Sequence, residues 1–257
     1  MQTNPLLQPS SHPNKAPAFD QIKEEHYLPA IEAAIEEARN NVEAIKSNKA
    51  APDFENTIVA LETSSELLGD VASIFYNQLS AMGGDKLHEL SLEIGPMTAA
   101  FGSDIVLDDV LFGRIKAVYD QQATLDLTPE QHTLLEDTYK DFVRGGALLD
   151  APGKQRMRDI SHELSTLGPL FMNNVSKSSE AFELILEADD LAGLPESATE
   201  AALHAAEEKG YAGKYLFTLD FPSYGPFMQY AESRENRRKM WEAFSYRGET
   251  EDYNNKP

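Results

Sequence analysis

His26 to Ile45 reads HYLPAIEAAIEEARNNVEAI, and its spacing decides the fold class. Leu28, Ile31, Ile35, Ala38, Val42 and Ile45 recur every three or four residues, which places them on one face of an α-helix. Glu32, Glu36, Glu37 and Glu43 fill the opposite face. Pro29 stands near the start, where a missing N–H costs little, and Asn48 to Pro52 ends the helix.

Downstream the same period returns. Phe54, Ile58, Leu61, Leu68, Ala72, Phe75 and Leu79 predict one long amphipathic helix, with Asp53 as its cap, Ser65 filling a gap in the stripe and Gly83-Gly84 as its end. Residues 85–101 read as a helix kinked at Gly95-Pro96, and 108–120 as a short helix. Thr128-Pro129-Glu130-Gln131 is a helix start with a hydroxyl cap, a proline at the first position and Gln131 three residues on; this helix is expected to reach about Leu149. Pro152 opens another, with a stripe of Met157, Ile160, Leu164, Leu167 and Phe171, continuing to about Ser178.

The texture changes after Ser179. Ala181 to Glu187 and Lys214 to Asp220 read as two strands of a small ribbon, flanking an Ala-rich helix from Glu196 to Lys209 closed by Gly210. Pro222 to Tyr230 reads as loop then helix, Arg234 to Tyr246 as a last helix, and 247–257 as a polar tail. The expected architecture is mainly α, an antiparallel helical bundle or array with a small β element near residues 181–220. Its expected divisions are a flexible N-terminal arm over 1–17, where Pro5, Pro9, Pro13 and Pro17 interrupt polar sequence, a helical domain over 18–180, and a mixed segment over 181–257.

Composition narrows function. Forty-three acidic against 22 basic side chains give a formal charge of −21, which repels phosphate backbones and anionic membrane surfaces. No cysteine is present, so disulfides, thiolate catalysis and Cys-based zinc sites are excluded. The first 15 residues lack the basic start and apolar run of a signal peptide, and no run of about 18 apolar residues exists; the expected location is cytoplasmic.

A zinc peptidase carries two His one helical turn apart with a Glu between them, so that both imidazoles reach one metal and the carboxylate polarises its water. Of six His, two are followed by Glu: His88-Glu89 and His162-Glu163. The fourth residue after each is Leu92 or Thr166, so neither completes the motif. The carboxylate pairs Glu24-Glu25, Glu36-Glu37, Asp108-Asp109, Asp189-Asp190 and Glu207-Glu208 are acid/base or Ca²⁺-ligand candidates, or solvated faces, since adjacent helical residues diverge by about 100°. No phosphate loop or nucleophile elbow occurs. Catalytic and metal residues are therefore expected to be none. In the aromatic run Phe217 to Tyr230 (FTLDFPSYGPFMQY), Tyr224 and Phe227 either line a peptide channel or plug the junction between ribbon and helices. Arg234, Arg237 and Arg238 are expected to pair with local carboxylates.

Several blocks occur in a telling order: FDQIKEEHYLPAIEAAIEEA (19–38), FENTIVALE (54–62), LLEDTYKDFVRGGALLD (134–150), AFELIL with LAGLPES (181–197), and FTLDFPSYGPFMQYAESRENRRKMWEAFSYRG (217–248). This series resembles the N-terminal portion of thimet-oligopeptidase-like zinc metallopeptidases, of the bacterial peptidyl-dipeptidase and oligopeptidase A type. The resemblance implies a mostly helical wall of a deep channel admitting short peptides. It also implies zinc held in the parent by HExxH and a downstream Glu, all in a C-terminal catalytic half absent from this chain, which would be inactive alone. The surface meant for that half is expected to be apolar and exposed. The competing expectation is an acidic helical binding or scaffold module without catalysis.

Overall fold

The computed structural model describes residues 4–10 and 12–256. The chain divides into two compact units, Met1–Pro169 and Leu170–Pro257. The division falls inside one helix, upstream of the change of texture at 180.

In the first unit, α1 (Glu24–Ser47) buries the stripe its spacing predicts, with Ala30, Ile31, Ala34, Ile35, Ala38, Val42 and Ile45 all withdrawn from water. Pro29 lies a full turn inside the helix, on an exposed position, not in the first turn. His26 Nδ1 accepts the Lys23 N–H at 3.0 Å and so caps the start. The N-terminal half of α1 packs with α3 (Glu66–Met82) and α4 (Asp85–Val106) around Phe75, Val71 and Ile94. Leu6 is buried in this core, and the Asn4 amide donates to the His26 carbonyl at 2.8 Å.

The C-terminal end of α1 belongs to a second core with α5 (Asp109–Asp120) and α6 (Pro129–Arg144), built on Leu111, Ile115 and Leu135. Thr128 and Gln131 form the reciprocal cap expected of them, at 3.3 and 3.0 Å. Helix α6 stops at Arg144, short of Leu149, because Gly146 adopts φ 102° and turns the chain.

The single helix expected from Phe54 to Leu79 is broken. A wide π turn (Phe54–Val59) runs into one turn of α2 (Ala60–Glu62), and the chain then leaves the helix at Thr63-Ser64-Ser65. At the break the Ser64 N–H turns to the Leu61 carbonyl three residues back at 3.0 Å and Ser64 Oγ takes the same oxygen at 2.7 Å, while Thr63 keeps the helical bond to the Val59 carbonyl and adds its Oγ1 at 3.0 Å. The Asn41 amide then holds the Ser64 carbonyl from α1 at 2.9 Å.

Helix α7 (Ala151–Ala181) runs across the division. In the second unit β1 (Leu184–Leu186) pairs antiparallel with β2 (Tyr215–Phe217), in the register Leu184 to Phe217 and Leu186 to Tyr215. Helices α8 (Glu196–Glu208), α9 (Phe221–Tyr230) and α10 (Arg234–Ser245) accompany this ribbon. Residues 247–256 are not a trailing tail. The Gly248 N–H donates to Ser178 Oγ at 2.9 Å, and Asn255 both accepts from Asn174 at 2.8 Å and donates to the Phe171 carbonyl at 3.2 Å. Among the described residues no helix is long and apolar enough to cross a membrane.

Candidate functional site

The aromatic run forms the centre of the second unit's core. Helix α9 begins at Phe221 because Asp220 is extended, Pro222 takes an early position where its lack of an N–H costs nothing, and Ser223 Oγ accepts the Thr218 N–H at 3.0 Å. Gly193 lets the LAGLPES turn approach the end of α9: a Cβ there would stand 2.3 Å from the Tyr230 carbonyl oxygen. The Glu232 N–H completes the joint on the Ala192 carbonyl at 2.9 Å.

Phe227 is fully buried and meets Phe217 edge-on at 4.7 Å between ring centres, sealed with Leu184, Leu219 and Met240. It has no surface to give a peptide in this arrangement. Tyr224 is half-buried and stacks on Phe244 at 4.3 Å, and the Arg247 guanidinium lies 3.7 Å from the Phe244 ring centre. Sequence spacing could not separate the two rings, because Pro222, Gly225 and Pro226 crowd α9 with residues of weak preference. Phe221 and Trp241, which the spacing did not mark, stand open to solvent at 81% and 51% exposure, as do Tyr230 and Tyr246. The arginines divide. Arg238 pairs with Glu235 and Glu242 as expected, at 3.1 and 3.6 Å, whereas Arg237 spends a guanidinium N–H on the Ala231 carbonyl.

The Asp108-Asp109 pair is engaged by cations. Asp108 caps α5 and binds Lys46, while its neighbour Asp109 binds the buried Lys154. Burial pushes the Asp108 carboxyl up, but the Leu111 N–H and the Lys46 ammonium more than offset this and hold it below the ordinary range. Asp190 turns back to the Glu187 N–H. Glu183 is lowered by the Lys209 ammonium and then by the Tyr211 hydroxyl, an ion-paired corner rather than a proton donor.

The two His-Glu half-motifs stay incomplete. His162 lines a hollow of about 300 Å³ with Asp104, Arg158 and Asp159, but Asp104 is claimed by Arg39 at 2.9 Å and Arg158 at 3.9 Å. Among the described residues no three His, Asp or Glu side chains converge to hold a metal ion. Neither half-motif, among the described residues, has the donors that a zinc site needs.

No family model matches the chain. Curated proteins do. It is 37% identical over 254 residues to a dipeptidyl carboxypeptidase of Salmonella typhimurium, covering 98% of this chain and 37% of that protein. The Escherichia coli dipeptidyl carboxypeptidase matches at 34% over 252 residues, with the same two shares. The Haemophilus influenzae oligopeptidase A matches at 33%, over 95% of this chain and 35% of its own length. The chain is a homologue of the dipeptidyl carboxypeptidases and oligopeptidases A. The resemblance of its blocks to the N-terminal portion of such peptidases is thereby borne out. The chain spans little more than a third of the length of the relatives it matches.

Proposed function

We propose that this chain is the non-catalytic N-terminal part of a zinc-dependent oligopeptidase of the peptidyl-dipeptidase and oligopeptidase A type. It forms part of the wall of the channel by which short peptides reach a catalytic centre carried on the remaining polypeptide, and it is inactive alone. One observation supports the reading above others: nearly the whole chain matches peptidases over only 37% of their length. The side chains at hand also fall short of metal chemistry, since His88 and His162 each lack a second imidazole one turn on. In the complete protein a zinc ion would supply the activated water; this chain would supply surface. Tyr224, half-buried and stacked on Phe244, is the residue that lines the channel, and Phe227 supports it from the core. The setting is cytoplasmic, with peptides as substrates.

The test is a peptidase assay of the purified chain on a quenched fluorescent peptide of about ten residues, with added Zn²⁺ and with chelator. No chelator-sensitive hydrolysis is expected. Turnover by this chain alone that chelator abolishes would overturn the reading.

A further inference from the structure

We propose that Arg247 is an anchor for the free carboxylate of a short peptide, with Phe244 and Tyr224 as the aromatic platform beside it. Naming a peptide as the source of that carboxylate rests on the function proposed above, whereas the anchor itself rests on the geometry of the second unit alone. The Arg247 guanidinium lies 3.7 Å from the Phe244 ring centre, and Phe244 stacks on Tyr224 at 4.3 Å. Arg247 Nε donates to the Phe244 carbonyl at 3.0 Å. Stacking and hydrogen bond together hold the guanidinium in place, and they use only the Nε side of it. The Nη1–Nη2 edge is left over. Among the described residues no acceptor meets either Nη and no carboxylate pairs with Arg247. Neither Nη is sealed from solvent.

An arginine without a carboxylate is out of place in a chain with 43 acidic and 22 basic side chains. Arg238, on α10, pairs with both Glu235 and Glu242. The carboxylates nearest to Arg247 in sequence on either side, Glu242 and Glu249, are engaged by Arg238 and Lys256. Arg156 and Arg234 also have no ion pair among the described residues, but both are exposed, whereas Arg247 is half-buried. A cation partly withdrawn from water and left without a counter-ion is costly. A carboxylate offsets that cost by accepting two parallel N–H groups from the open edge of the fork. Arginines close to a helix end often bond one of its last carbonyls, and that role occupies Nε alone. A singly charged carboxylate suits the site better than a phosphate dianion, because the whole chain carries a formal charge of −21. An apolar side chain next to the carboxylate has the Phe244 and Tyr224 rings to lie against.

The experiment titrates the intact chain with acetyl-Ala-Phe, as the free acid and as the amide, and follows the Arg247 Nε–H and the backbone amides of 244–248 by nuclear magnetic resonance. The free acid should shift these signals to saturation, and the amide should bind at least about tenfold more weakly. Arg247→Lys keeps the charge and can still reach the Phe244 carbonyl, but it has no fork. It should bind the free acid about tenfold more weakly, with an unchanged circular dichroism spectrum. The comparison of acid with amide needs no variant, so it decides the matter even where the substituted chain fails to fold. Equal binding of acid and amide, no binding of either, or native affinity in a folded Arg247→Lys chain overturns the anchor. So does inorganic phosphate that displaces the acid at equal concentration, which would make the site a general holder of oxyanions. Carboxylate-dependent binding by a chain that also shows chelator-sensitive hydrolysis leaves the anchor standing and removes the non-catalytic reading; an inactive chain indifferent to the carboxylate does the reverse.

Discussion

Gly95 of α4 meets Ser165 of α7 backbone to backbone: a Cβ on Gly95 would stand 3.0 Å from the Ser165 carbonyl oxygen. That oxygen is the one Pro169 cannot bond, since proline has no N–H to return to the residue four positions back. Gly95-Pro96, where a kink was expected, is a crossing point of two helices, and α4 runs as helix through it. Ala at an ordinary helix glycine gains about 1 kcal/mol. Gly95→Ala should instead lose about 1 kcal/mol, while Gly102→Ala, on the same helix with nothing within 4 Å, should gain about 0.5–1 kcal/mol. Urea denaturation of the two variants checks the contrast.

Gly193 is held more tightly. Its φ is 85°, and the added methyl would fall against the Tyr230 carbonyl and the Glu232 side chain. Gly193→Ala should cost about 3 kcal/mol, from left-handed strain together with a backbone clash. Near-ultraviolet circular dichroism of the Tyr224–Phe244 region should report the loss first.

Arg114 is buried, and its partners among the described residues are neutral oxygens: the Asn48 carbonyl at 3.0 Å, the Ala50 carbonyl at 3.4 Å, Asn56 Oδ1 at 2.9 Å and Thr57 Oγ1 at 3.4 Å. Arg114→Met should cost about 3 kcal/mol, since it strands several buried acceptors. Arg114→Lys should recover little of that, because a single ammonium cannot span the fork. Thermal melts of both variants test this.

Asp108 gives a pH signature. A carboxyl held below its unfolded value contributes stability that is complete above the unfolded value, about 4, and is lost as pH falls through the lower folded value. Asp108→Asn keeps an N-cap acceptor but gives up the Lys46 pair, at 2.9 Å in the native chain. The variant should be less stable by about 1 kcal/mol at neutral pH, and the gap should close as pH falls below about 4. A gap that stays constant through acid would show that the pair contributes nothing.

Much of the fold was legible because periodicity reports burial directly. The stripe of α1, the Thr128–Gln131 cap and the pairing of the two strands all follow from spacing and cap chemistry. The break at Thr63-Ser64-Ser65 was missed because apolar spacing survives it, and consecutive hydroxyl residues are compatible with either a helix or a turn. The docking of residues 247–256 on α7 depends on Asn255 and Ser178, polar residues with no period. Of the candidate site, the aromatic run signalled where bulk would gather but not which ring would face inward. Arg114 carried no signal at all, since its partners lie 57 to 66 residues away in sequence.

Arg114 and Asp108 fasten the same two parts, the end of α1 with its following loop and helix α5, by chemically different means. The Lys46–Asp108 clasp includes a group that takes up a proton in acid and lets go. The oxygens around the guanidinium neither gain nor lose protons over the same range, so that fastening is blind to pH. Acid well below about pH 4 should therefore release one latch and leave the other shut, giving a loosened state in which the Asn48 loop still rides on α5.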